Sequence, residues 1–175
     1  MSEIKRNYIQ GATAELGVFQ GEFAQYINLA FMDRNIYLFD TFSGFDEEEL
    51  AKETIGYERD TNRAVHENTN VELVIRKMKY PEKVIVRKGL FPATAEGLDE
   101  KFAFVSLDCD WEESLYQGLK YFYPRLNHGG YIMVHDYNNS LTCAQKAISR
   151  YEAELGHLMC KVPICDAEGS IVLTK

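Results

Sequence analysis

Two apolar runs end in groups that can move protons or hold cations. Phe102-Ala-Phe-Val-Ser-Leu107 stops at Asp108-Cys-Asp110, and Tyr131-Ile-Met-Val134 stops at His135-Asp136-Tyr137. A carboxylate is costly to bury unless it reaches a crevice, a partner or a metal, and in open α/β sheets the carboxyl ends of the strands border the crevice that binds ligands. A third acid, Asp40, closes Ile36-Tyr-Leu-Phe39 in the same way. Carboxylates so placed suit general-base work and the coordination of a hard divalent cation. The imidazole of His135 adds a second proton acceptor and favours softer cations than magnesium.

A fourth acid stands at the start of the chain. Ala14-Glu15-Leu-Gly17-Val-Phe-Gln-Gly21 reads as the first strand-to-helix turn, where a glycine lets the backbone pass close to a ligand. The middle glycine of a dinucleotide loop is missing and Glu15 precedes Gly17, so a pyrophosphate would meet a carboxylate. A cationic ligand suits the turn better. S-Adenosylmethionine carries a sulfonium and an amino group and no phosphate, which favours methyl transfer over the hydride transfer of a nicotinamide-dependent dehydrogenase. Asp40 lies about 20 residues after Gly21, the offset at which an acid meets ribose hydroxyls in Rossmann-like sheets. Read otherwise, Glu15 and Asp40 are surface acids or helix caps. Phe91, in Arg87-Lys-Gly-Leu-Phe91 after the third strand, either covers an adenine face or belongs to the core.

These residues need strands to hold them. Strand-like runs at Ala12 to Leu16, Ile36 to Phe39, Lys83 to Arg87, Phe102 to Leu107 and Tyr131 to Val134 alternate with helix-compatible segments, the pattern of an α/β, doubly wound, mostly parallel sheet. Phe23, Ile27, Ala30 and Phe31 share one helical face; so do Leu115, Leu119 and Phe122, and Ala144, Ile148, Tyr151 and Leu155. Leu158 to Ile164 and Ser170 to Thr174, around Asp166-Ala-Glu-Gly169, add an antiparallel pair at one edge. Residues 46–70 are polar, acidic at first, and aperiodic until Val71 opens a helix capped by Asn70. They read as a mobile lid on the ligand side, or as a solvated connector.

The 175 residues suit one domain, 1–175. A net charge of −8 gives a nucleic-acid backbone no general support. No apolar run approaches the roughly 20 residues that span a bilayer, and Met-Ser-Glu-Ile-Lys-Arg lacks an apolar signal core. A cytoplasmic protein without membrane or nucleic-acid partners is expected. Cys109, Cys143, Cys160 and Cys165 show no CxxC pair and read as buried free thiols.

An ordered set of segments resembles a family. Glu15-Leu-Gly17-Val-Phe-Gln-Gly21, Leu38-Phe-Asp40-Thr-Phe-Ser-Gly-Phe45, Arg87-Lys-Gly-Leu-Phe-Pro-Ala-Thr94, Phe104-Val-Ser-Leu-Asp108-Cys-Asp110, Tyr121-Phe-Tyr-Pro-Arg-Leu126 and Gly129-Gly-Tyr-Ile-Met-Val-His-Asp-Tyr137 are similar to the macrocin O-methyltransferases, from about Ala14 to Tyr151. The first turn also resembles catechol-type, cation-dependent enzymes. The resemblance implies a seven-stranded class I methyltransferase sheet, S-adenosyl-L-methionine as donor, a divalent cation such as Mg2+, and a small-molecule or glycoside hydroxyl as acceptor. It implies that Glu15, Gly17, Gly21, Asp40, Thr41, Gly89, Phe91 and Asp108 hold the donor. Asp108, Asp136 and His135 would hold the cation, with Asp108 also the base. The family often has an acid where this chain has His135, so His135 is alternatively the base itself, its tautomer held by Asp108 or Asp136, or a strand-end histidine satisfied by backbone.

Other residues admit two readings. Asp110 caps the helix starting at Trp111 or adds a ligand; Asn138 and Asn139 line the acceptor pocket or form a turn; Tyr116, Tyr121, Phe122 and Tyr123 are core or the face of a homodimer. Only Met1 to Gly11 precede the first strand, fewer residues than in the family. That leaves open a large acceptor, a partner subunit that closes the site, or a non-catalytic donor-binding module.

Overall fold

A computed structural model describes residues 2–44, 67–138, 142–167 and 169–175. Its strands are β1 (Ala12–Leu16), β2 (Ile36–Asp40), β3 (Val84–Lys88), β4 (Phe102–Leu107), β5 (Leu126–Val134), β6 (Cys160–Pro163) and β7 (Ile171–Thr174). They form one seven-stranded sheet in the order β3-β2-β1-β4-β5-β7-β6. The pairs from β3 to β5 are parallel, and β7 runs antiparallel to both β5 and β6. The strand order reverses between β1 and β4. Such a switch point opens a crevice, because the two connections leave toward opposite faces.

The alternating side chains of each strand feed two cores. Ala14, Leu16, Tyr37, Phe39, Leu107, Ile132 and Val134 pack under α4 (Glu112–Arg125) and α5 (Cys143–Leu155). Ile36, Leu38, Ala103 and Phe104 pack under α1 (Ser2–Arg6), α2 (Ala24–Ala30) and α3 (Val71–Lys77). Apolar residues at helical spacing supply the cover, Leu115, Leu119 and Phe122 from α4 and Ala24, Ile27 and Phe31 from α2. Asn28 fastens α2 to the approach to β3 through both amide ends, donating to the Tyr80 carbonyl at 2.9 Å and accepting from the Tyr80 N–H at 2.8 Å. Among the described residues no helix is long and apolar enough to cross a membrane.

The expected strands, helices and terminal pair are present, with four differences. The short helix α1 buries Ile4 against the second core, a single apolar residue too isolated to show periodicity. Strand β5 begins at Leu126 rather than Tyr131, because it carries an irregular pairing with β4 between Phe102 and Phe104 that a simple alternation conceals. Trp111, in extended conformation, holds the cap position of α4 in place of Asp110, so the first-turn acids are Glu112 and Glu113. Cys160 and Cys165 are exposed and Cys109 and Cys143 half-buried, and none of the four forms a disulfide. The reason for the exposure is position: β6 is the outermost strand, with all its residues but Lys161 exposed, and Cys165 lies beyond its end. Tyr116 and Phe122 are buried core, with Tyr121 and Tyr123 packed beside them.

Candidate active site

The glycine turn and the end of β4 meet at the switch point. A Cβ on Gly17, whose φ is +83°, would stand 2.1 Å from the carbonyl oxygen of Asp108, so only glycine lets the two backbones touch. Asp40 shapes the same turn from β2. Its Oδ2 accepts the N–H groups of Val18 and Phe19 at 2.7 and 2.9 Å, and its Oδ1 accepts that of Phe42 at 2.6 Å. The acid expected to meet ribose hydroxyls thus also anchors the loop that would receive the donor.

A cavity of about 290 Å³ opens here. Glu15, Gly17, Asp40, Thr41, Gly89, Phe91 and Asp108 all line it. Gly21 lies off the wall, where a Cβ would press on Val74 of α3 at 2.9 Å; its place is in packing the turn on that helix. Phe91 answers both readings, lining the cavity while its ring contacts Phe39, Tyr121 and Phe122 at centroid distances of 5.5 to 5.7 Å. Glu22, Phe23, Leu90, Thr69, Trp111 and Ser114 join the wall without having stood out in sequence. Thr69 is placed by hydrogen bonding to the Phe19 carbonyl, and Gln20 donates to the neighbouring Asn68 carbonyl at 2.7 Å. Residues 45–66, most of the expected lid, and Asn139 fall outside the described residues.

The wall carries Glu15, Glu22, Asp40, Asp108 and Asp110 and, among the described residues, neither lysine nor arginine. Glu15 is 1 % exposed, and its Oε2 has no partner. Burial, reinforced by the charges of Asp108 and Asp40, holds its carboxyl well above the usual range, with the neighbouring Ser106 and Ala24 acting the other way. Asp108 is raised too, first by desolvation and then by Asp136, with His135 acting the other way. Asp108 lines the cavity and is exposed as a residue.

His135 follows β5, where its N–H donates to the Leu107 carbonyl at 2.9 Å. Its Nε2 lies 3.1 Å from Ser106 Oγ, and the edge of its ring meets Phe23 at a centroid distance of 5.1 Å. Ser106, rather than Asp108 or Asp136, therefore engages the ring nitrogen. Asp136 adopts a left-handed φ of +55°, a conformation uncommon outside glycine, as the chain leaves the sheet. Neither His135 nor Asp136 lines the cavity. Among the described residues no three His, Cys, Asp or Glu side chains gather as a bound cation requires. The Asp108, His135 and Asp136 donor set as arranged does not fit the hard, oxygen-rich shell of magnesium.

The sequence profile of the macrocin O-methyltransferase (TylF) family matches residues 1–167. The chain belongs to that family. No curated protein matches it by sequence. Among solved structures, the O-methyltransferase NovP superposes with a TM-score of 0.81 at 22 % identity, covering 99 % of this chain and 75 % of NovP. The calicheamicin methyltransferase CalS11 gives 0.73 at 17 % identity, covering 99 % and 74 %. The methyltransferase PaMTH1 of Podospora anserina, solved with S-adenosylhomocysteine bound, gives 0.60 at 13 % identity, covering 93 % and 70 %. These likenesses establish the Rossmann-like methyltransferase fold. The family match reaches further toward both ends than the similar segments that suggested it.

Proposed function

We propose that this chain transfers a methyl group from S-adenosylmethionine to a hydroxyl of a sugar or other natural product. The observation that carries the reading is the sign of the cavity: five carboxyl groups and no lysine or arginine among its described residues, at the switch point of the sheet. A pyrophosphate would be repelled there, which argues against nicotinamide chemistry, while a sulfonium or ammonium would be welcomed. The names of NovP and CalS11 support the acceptor class, since both are methyltransferases and the second acts in calicheamicin chemistry.

The bound donor supplies an electrophilic methyl on a positively charged sulfur. Gly17, whose backbone leaves room, Asp40, which fixes the turn, and the apolar Phe91 and Leu90 of the cavity wall would hold it. Phe23 and Trp111 exclude water from the same wall. The acceptor oxygen must lose its proton as it attacks, and this reading assigns that proton to Asp108, which lines the cavity. Burial brings the Asp108 carboxyl upward, toward the range in which a general base works best near neutrality. The cation implied by the resemblance has no step in this reading, because its three expected donors do not converge.

The test is methyl transfer to a panel of glycosides with labelled S-adenosylmethionine, followed by mass spectrometry. Label appearing on an acceptor hydroxyl supports the reading. Donor binding with no transfer to any glycoside, with or without magnesium, would favour a non-catalytic binding module.

A further inference from the structure

One residue of the glycine turn holds a conformation that its side chain disfavours. The Gly21 N–H donates to the Val18 carbonyl at 2.8 Å, closing a turn in which Phe19 is the first central residue. The φ of Phe19 is +49°, left-handed, and glycine dominates this turn position when φ is positive there. A Cβ makes that backbone costly, and such a residue persists only where its surroundings over-determine it. Both backbone polar groups of Phe19 are held by side chains from other elements. Its N–H donates to Asp40 Oδ2, at the end of β2, at 2.9 Å, and its carbonyl accepts the hydroxyl of Thr69, just before α3. The same two segments are tied a second time, with Gln20 Nε2 donating to the Asn68 carbonyl at 2.7 Å. Thr69 stands on a fixed base: the next residue, Asn70, caps α3 by accepting the Leu73 N–H at 2.8 Å, and Val74 of that helix packs where Gly21 has no Cβ. Thr69 is 8 % exposed, and both it and Phe19 line the cavity.

From this geometry we propose that Thr69 is a positioning residue for the donor: with Asp40 it clamps Phe19 in the left-handed conformation that keeps the Phe19 side chain in the cavity wall. The inference rests on the donor reading above. Glycine would trace the same turn without strain, so what the clamp preserves is the side chain that glycine lacks. The strain is met by two hydrogen bonds, one to a carboxylate and one from a neutral hydroxyl. Loss of the second frees the peptide between Phe19 and Gln20 to rotate toward an ordinary backbone conformation. That rotation moves the Phe19 side chain relative to the wall and loosens the loop that Gly17 and Asp40 shape. A donor must then restore the conformation as it binds, and its apparent affinity falls by the fraction of chains no longer in that state. The effect falls on donor binding, because Thr69 acts through Phe19 rather than on the reacting atoms.

Thr69→Val keeps the shape of threonine without its hydroxyl, and Thr69→Ser keeps the hydroxyl. Calorimetry with S-adenosylmethionine should show Thr69→Val binding about tenfold more weakly than the wild type, the scale of one hydrogen bond, and Thr69→Ser binding within about twofold of it. In a Phe19→Gly background, which needs no clamp, adding Thr69→Val should cost less than about twofold. Amide spectra of the empty protein should show the Gln20 N–H, which shares its peptide with the Phe19 carbonyl, displaced in Thr69→Val and in place in Thr69→Ser. Thr69→Ala takes the place of Thr69→Val if the latter does not fold. Wild-type affinity in Thr69→Val, no rescue by Thr69→Ser, an undisplaced Gln20 amide, or an equal loss in the wild-type and Phe19→Gly backgrounds overturns the clamp. Absence of donor binding to the wild type overturns the donor reading and the positioning role with it.

Discussion

Gly17 and Asp108 meet backbone to backbone across the switch point, with no room for a Cβ between them. Gly17→Ala should therefore act through packing more than through its positive φ. Gly97 is the matched control, with φ of +72° and no atom within 4 Å of the place a Cβ would take. Gly97→Ala should cost about 1 kcal/mol, whereas Gly17→Ala should add about 1–3 kcal/mol of overpacking and weaken S-adenosylhomocysteine binding at least tenfold. Equal melting temperatures for the two variants would contradict the close approach.

Asp40 holds three backbone N–H groups, so its replacement should disturb the turn even without ligand. Each hydrogen bond to a charged acceptor contributes about 1.5–3 kcal/mol. Asp40→Ala should lower both the melting temperature and donor affinity, and amide spectra of the empty variant should show Val18, Phe19 and Phe42 displaced. A variant that loses affinity while those amides stay in place would leave ribose contact as the whole role of Asp40.

Glu15 and Asp108 both have carboxyl pKa values raised by burial. A raised folded-state value means that the stability these acids contribute is complete below the ordinary carboxylate range and is lost as pH climbs through the raised value. The empty protein should weaken as pH rises above about 4.5, the ordinary value for Glu15, by about 1.4 kcal/mol for each unit of upward shift. Glu15→Gln removes its share of that loss. Melting curves should show the variant gaining on wild type as pH rises, while its donor affinity falls. A variant less stable than wild type at pH 8 would contradict the assignment.

At the far edge, Glu152 is buried and accepts from Lys161 Nζ at 2.6 Å and from the Met159 N–H at 2.8 Å, joining α5 to β6. Glu152→Ala strands a lysine and a backbone donor. The expected cost is about 3 kcal/mol, or a fall of about 6–12 °C in Tm for a chain of this size. Donor affinity should hardly change, because the pair lies outside the cavity wall; loss of affinity would show that the edge strands support the site.

The alternation of apolar runs is legible because buried parallel strands and amphipathic helices write different periods into sequence. So are the strand-end acids, since few structures tolerate Asp40, Asp108 and Asp136 after such runs. The partners of those groups are hidden. Nothing near Ser106 marks it as the contact of His135, because the relation runs across strands, 29 residues apart. The same holds for Asp40 and Val18, 22 residues apart. Cys160 and Cys165 read as buried because an edge strand and an interior one share composition and differ only in sheet order.

The proposed reading assigns proton removal to Asp108 without a cation. Methyl transfer should keep its rate within about twofold in the presence of a chelator, and a much larger loss restored by magnesium would require Asp108, His135 and Asp136 to rearrange around an ion.

The acidic cavity as the site of a cationic donor is the claim on which the rest depends, and calorimetric titration with S-adenosylmethionine tests it most directly. The expected result is one molecule bound per chain with micromolar affinity, weakened by Glu15→Gln and by Asp40→Ala. No binding at millimolar donor, or binding of NAD in its place, would contradict it.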